Sequence, residues 1–179
     1  MRPYVAQMEA LDSIPGISRR LGEVLIAKIG VDMTPFENAE RLASWAGMCP
    51  GKHSSAGKRQ SGKTRKGSPW LRRALTEAAH GAARTKQKYL SAQYHRIAAR
   101  RGRKRAILAV GHSILTISYH LLTRHTTYQD LGQNYFDERD REGVKRRAIR
   151  RLEHLGFQVT LACSLQVFTR YFSRQDQGC

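Results

Sequence analysis

Residues 68–122 read SPWLRRALTEAAHGAARTKQKYLSAQYHRIAARRGRKRAILAVGHSILTISYHLL, and the spacing of their apolar positions decides the fold class. Ser68-Pro69 is a helix-opening pair. A serine can accept from the free amides of a first turn, and proline at the first helical position lacks an N–H that would have had no partner. From Trp70 the spacing predicts a long helical stretch to Arg100, rich in alanine, with Leu71, Leu75, Ala78, Ala79 and Ala82 on one face. Side chains that small predict close packing of helices. Residues 99–105, ARRGRKR, read as a basic linker. Ala106 to Leu122 follows as a further apolar helix carrying Ile107, Val110, Ile114, Ile117 and Leu121. The expected fold class is mostly α.

Immediately upstream, residues 50–69 read PGKHSSAGKRQSGKTRKGSP, a glycine-punctuated loop with six basic residues and no acidic one. Gly51, Gly57, Gly62 and Gly67 let the backbone turn and approach a ligand. Lys52, Lys58, Arg59, Lys63, Arg65 and Lys66 have no neutralising neighbour within the loop. An anionic partner is the simplest reason for such a segment. The whole chain agrees, with a net charge of +18 over 179 residues and a pI near 10.7. The excess is spread along the sequence, which makes nucleic acid the leading partner class.

An apolar content of 40% over this length suits one ordinary domain, or two small ones, with a hydrophobic core. No apolar run approaches a membrane span, and residues 1–30 lack the apolar block of a signal peptide, so the expected location is cytoplasmic. Cys49, Cys163 and Cys179 are odd in number and far apart, which fits neither a disulfide framework nor a CxxC metal site.

Toward the N-terminus, LDSIPGISRRLGEVLIAKIG, Leu11 to Gly30, places Ile17, Leu21, Val24, Leu25 and Ile29 at helical spacing after a tight Pro15-Gly16 turn. It resembles the helix-hairpin-helix module. Ile14, Gly16 and Ile17 match its turn, Gly22 its small position, and Leu25 with Ile26 its apolar pair, while Ser18 departs from the second glycine. The resemblance implies that backbone amides of the turn and the next helix start grip DNA phosphates at Gly16, Ile17, Ser18 and Arg19. Thr34-Pro35-Phe36 is expected to cap a short helix from Asn38 to Ala46 that Gly47 ends. Asp137 to Gly156 reads as a last charged helix, its acids near the start and its bases near the end, as the macrodipole favours. After Thr160 the pattern dissolves.

Three chemistries compete for the basic loop. Gly57-x4-Gly62-Lys63-Thr64 spells a Walker A string, but no apolar strand precedes it and Gly67 and Pro69 interrupt a following helix, so nucleotide hydrolysis is the weak alternative. His53 lies beside the serines, while His112, His120 and His125 share no ligand spacing. Ser54 and Ser55 sit amid the cations that would neutralise a phosphodiester under attack. In the third reading the serines are incidental and the loop is a non-catalytic electrostatic clamp.

The ordered set SIPGI, FENAERLASWAGMCP, HSSAGKRQSGKTRKGSPWLRRALTEAA, the helical stretch to Leu122 and YQDLGQNYFDERD resembles the C-terminal half of the bridge-RNA-guided insertion-sequence transposases. These proteins join a resolvase-like DEDD domain to a helical transposase domain that contributes a nucleophilic serine. The resemblance runs from about Leu11 to about Thr160. It implies that Ser55, followed by Ala56-Gly57 after the GL-x-P-like turn, is the nucleophile, with Ser54 the adjacent fallback. It also implies DNA and a structured guide RNA as partners, homo-oligomers in the intact family and no membrane. Lys52, Lys58, Arg59, Lys63, Arg65 and Lys66, with Arg72 and Arg73, would surround the strands.

No acidic tetrad or βαβ pattern precedes Leu11, so the chain reads as an isolated C-terminal half. On this reading it holds no metal or cofactor of its own, and magnesium is implied only through the missing domain. The expected organisation is a helix-hairpin-helix segment over 1–34, a helical transposase core over 35–125 with the serine loop 50–69, a charged helix over 126–160 and an atypical tail over 161–179.

Overall fold

A computed structural model describes residues 4–49, 53–55, 58–61, 64 and 66–161, with residues 53–55 and 58–61 described as strand backbone. The chain divides into two compact units, residues 1–138 and residues 139–179.

The first unit is mostly α. It runs α1 (Val5–Asp12), α2 (Arg19–Ile29), α3 (Ala39–Trp45), β1 (His53–Ser55), β2 (Lys58–Ser61), α4 (Pro69–Arg84), α5 (Tyr89–Arg101), α6 (Arg103–Arg124) and α7 (Tyr135–Arg139). Helix α6 is its axis, packing against α1, α3, α4 and α5. Val110, Ile114 and Leu115 of α6 are fully buried, as are Leu71, Ala79 and Ala82 of α4 and Leu42 and Ala43 of α3. Each such leucine or isoleucine contributes about 1.5 to 3 kcal/mol by leaving water. Helix α6 is long and apolar enough to cross a membrane by length and composition, yet 56% of that stretch is buried inside this fold, which makes it the core helix.

The start of α4 follows the expected chemistry, with the Ser68 hydroxyl accepting from the Leu71 amide at 3.4 Å and Pro69 in the first turn. The expected single helix from Trp70 to Arg100 is instead two. It stops at Arg84, turns through Gln87 at a left-handed φ of 58°, and returns as α5. No proline or glycine marks the break. Folding back buries Leu90 and lets the Ser91 hydroxyl donate to the Ala83 carbonyl at 3.1 Å, contacts that a straight helix would forgo.

Helix α3 is capped by Asn38, whose side chain accepts from the Arg41 amide at 2.9 Å, rather than by residues 34–36. The basic segment expected as a loop contains an antiparallel two-stranded ribbon, β1 against β2. Its strands are polar throughout, so no apolar alternation announced them. A two-residue connection nonetheless lets backbone donors and acceptors satisfy each other. In the second unit, α8 spans Arg141–His154 after Asp140, whose carboxylate accepts from the Arg147 guanidinium at 3.2 Å. The charged helix expected from Asp137 to Gly156 is thus broken at Asp140.

Candidate nucleic-acid interface

Two elements of the first unit meet to form an open groove of about 960 Å³, lined by Gly16, Ser18 and Leu21 at the start of α2 and by Pro69, Arg73 and Arg84 among others on α4. Tight contact at one point brings them together. Gly16 has a φ of 90°, and a Cβ there would overlap the Ala78 carbonyl and the Ala82 amide nitrogen of α4. Only glycine accepts both that backbone angle and that approach.

Ser18 is the extended residue before α2 and its side chain makes no capping bond. Its carbonyl accepts from the Gly22 amide at 2.9 Å, but the amides of Arg19, Arg20 and Leu21 precede the first possible intrahelical partner and have no acceptor among the described residues. The positive end of the helix therefore stands at the groove, which Ser18 and Leu21 line. Across from them, Arg72, Arg73, His80 and Arg84 outnumber the one carboxylate in the wall, Glu77. The arrangement favours an anion with repeated negative charges over a neutral ligand.

The residues singled out from the sequence divide by role. Gly16 and Ser18 line the groove, and Arg19 is exposed with a loose ion pair to Glu23 at 3.9 Å. Ile17 is buried and its amide donates to the Ile14 carbonyl at 3.1 Å, so it contributes packing at this corner. Arg73 is exposed, whereas the Arg72 guanidinium donates to the Gly47 carbonyl at 2.7 Å and so ties α4 to the exit of α3. Lys66 is exposed at the foot of α4.

Ser54 and Ser55 fall on β1 and Lys58 and Arg59 on β2, in a register that sets Ser55 across from Lys58 and Ser54 across from Arg59. Lys52, Lys63 and Arg65 lie outside the described residues. Gly67 packs against the exit of α3, where a Cβ would overlap the Ala46 carbonyl, and Pro69, two residues on, lines the groove.

Sequence reasoning missed Thr76, His80 and Arg84. The signal was present. Arg73, Glu77, His80 and Arg84 recur at helical spacing on the polar face of α4, opposite the alanine face that was read. The Walker A string is answered by the ribbon, because β2 occupies the four positions that a nucleotide-binding loop needs as a turning phosphate cradle. Among the described residues no group of three or more His, Cys, Asp and Glu gathers to hold a metal ion.

A sequence profile of the transposase IS116/IS110/IS902 family matches residues 8–95, the segment from α1 into α5 that contains both the groove and the ribbon. The chain is also 30% identical over 125 residues to the transposase for insertion sequence element IS1111A of Coxiella burnetii, an alignment covering 68% of this chain and 34% of that protein. The chain thus spans about a third of that relative's length.

Proposed function

We propose, on the premise that residues 8–95 are a transposase domain of the IS116/IS110/IS902 family, that this chain binds DNA and supplies a serine nucleophile for strand exchange. The observation that carries the reading is the groove, where the start of α2, with its unpartnered amides, shares one open space with Arg73 and Arg84 of α4. Such donors hold phosphates without reading bases, so they would position a duplex.

In the reaction, the Ser55 Oγ attacks the scissile phosphorus. The Ser55 hydroxyl gives up its proton as the bond from oxygen to phosphorus forms, the bond to the leaving strand's sugar oxygen breaks, and that oxygen takes up a proton in turn. The phosphoserine retains the energy of the phosphodiester until a new strand end displaces it. Lys58 and Arg59 share the ribbon and supply positive charge to the phosphate oxygens.

The described residues do not fit a magnesium site, since no carboxylate set gathers among them, and no step is assigned to the ion. The carboxylates to hold such an ion would belong to a resolvase-like DEDD domain. A structured guide RNA, self-association and a cytoplasmic location complete the proposal as properties of the intact assembly.

The test supplies the chain with a family DEDD domain, magnesium and labelled donor-end DNA, followed by a denaturing gel. A shifted, protease-sensitive band lost in Ser55→Ala supports the reading. A band surviving in Ser55→Ala and lost in Ser54→Ala moves the nucleophile by one residue. No band, with DNA binding intact, leaves a non-catalytic clamp.

A further inference from the structure

We propose that the corner between α5 and α6 is a second phosphate contact for duplex DNA, lying on the same end of the helical unit as the start of α4. The inference rests on the DNA-binding reading above and deepens it.

Arg100, Arg101, Arg103, Lys104 and Arg105 crowd into six residues around Gly102, and all five are exposed. None of them belongs to an ion pair among the described residues. The first turn of α6 contains no acid and its cap, Gly102, has no side chain to offer. Three of the cations therefore stand at the positive end of a 22-residue helix, where an anion is favoured and a cation is not. A soluble surface lowers such repulsion by interspersing carboxylates, and residues 100–105 contain none. A polyanion laid across it would relieve the repulsion and release counterions at once.

Topology places the corner at the same end of the unit as the start of α4. The Ser91 hydroxyl bonds the Ala83 carbonyl and the Gln93 amide donates to the Ser113 hydroxyl at 2.9 Å, so α5 runs antiparallel to both neighbours, and α4 and α6 run parallel. Gly111 of α6 abuts Leu75 of α4, where an added Cβ would stand 3.3 Å from the Leu75 carbonyl oxygen. From that contact, Pro69 is about 9 Å back along α4 and Arg103 about 12 Å back along α6 at 1.5 Å per residue. Both helix starts thus reach the same end, separated sideways by about 8 to 10 Å, the usual interaxial spacing. A single turn of duplex, about 34 Å, spans the start of α4, where the groove ends, and the corner together.

The experiment titrates fluorescence anisotropy of a labelled duplex against salt, using the full chain. One variant changes Arg100, Arg101, Arg103 and Arg105 to Gln. A control of equal charge loss changes Lys28, Lys86, Lys88 and Arg124, exposed residues scattered over the surface. Each lost phosphate contact flattens the logarithmic salt slope by about 0.9, so the corner variant should lose about 2 or more and bind at least tenfold more weakly at low salt, with the control losing under half of that. Equal losses in the two variants, or no change at the corner while the parent binds, would overturn this contact and leave the DNA-binding reading standing. Failure of the parent to bind removes both. An effect on an RNA hairpin but not on the duplex overturns the assignment to DNA.

Protection of Lys104 from acetylation by bound duplex, with Lys28 still modified, reads the same contact in the unaltered protein. Lys104 modified as fast as Lys28 in the complex argues against it.

Discussion

Gly16 and Gly81 meet backbone to backbone: a Cβ added at Gly81 would stand 3.0 Å from the Gly16 Cα. The two substitutions should not cost the same. Gly16→Ala combines a φ of 90° with overlap against the α4 main chain and should lose about 2 kcal/mol or more. Gly81→Ala gains about 1 kcal/mol of helix propensity, which offsets part of its clash. Urea unfolding of both variants checks the order. Equal losses would show that the turn and α4 can move apart at no cost.

Arg72 and Arg73 are adjacent in sequence and separable by measurement. Arg72→Gln removes the charged donor to the Gly47 carbonyl and should cost about 1.5 kcal/mol of stability. Arg73→Gln, exposed in the groove wall, should leave stability within about 0.5 kcal/mol. It should instead lower the salt slope of DNA binding by about 1. Denaturation and salt-titrated binding on the same two variants decide it, and a stability loss in Arg73→Gln would place that side chain in the scaffold.

Alkaline stability should depend on Tyr128. Its hydroxyl donates to the Asp130 carboxylate at 3.2 Å, while that carboxylate also accepts from the amides of Tyr89 and Gly132. Burial, and then the Asp130 charge, hold the Tyr128 hydroxyl well above the usual tyrosine range. The folded state therefore keeps the proton after the unfolded chain has lost it. The contribution is full below about pH 10, the ordinary tyrosine value, and is lost as pH rises beyond it. Thermal melts across that window should decline in the parent and flatten in Tyr128→Phe. Parallel curves for the two would remove Tyr128 from the linkage.

On the acid side the relevant group is His112, half-buried on α6. Burial holds its imidazole below the ordinary histidine value, with the Glu40 charge opposing in part. Below about pH 6.5 the unfolded chain takes up a proton that the folded state resists, so stability should fall as pH drops. His112→Gln should remove that part of the slope. Melting temperatures measured from neutral to mildly acidic pH test this, and an unchanged slope would assign the loss elsewhere.

The mostly α character was legible because helical periodicity is local. Leu71, Leu75, Ala78 and Ala82 repeat at a spacing that marks one face whatever lies against it, and Ser68-Pro69 marks where the face begins. The cation-rich segment was equally legible, since charge is a property of composition. Where that face is interrupted was not. The turn at Gln87 carries no breaker residue and exists because Leu90 and Ser91 gain contacts only by folding back.

The site was legible as residue types and illegible as roles. Arg72 and Arg73 look alike until the Gly47 carbonyl claims one of them. Ile17 belongs to the turn but serves the core, and the Arg103 corner read as a mere linker until the parallel run of α4 and α6 set it at the same end as the start of α4. The sequence by itself determined the mostly α character and the concentration of positive charge, because both follow from spacing and composition within a few residues. Only the tertiary structure decided which cations line a common groove, because close packing of distant backbones, glycine on glycine at residues 16 and 81, chooses which side chains remain in water.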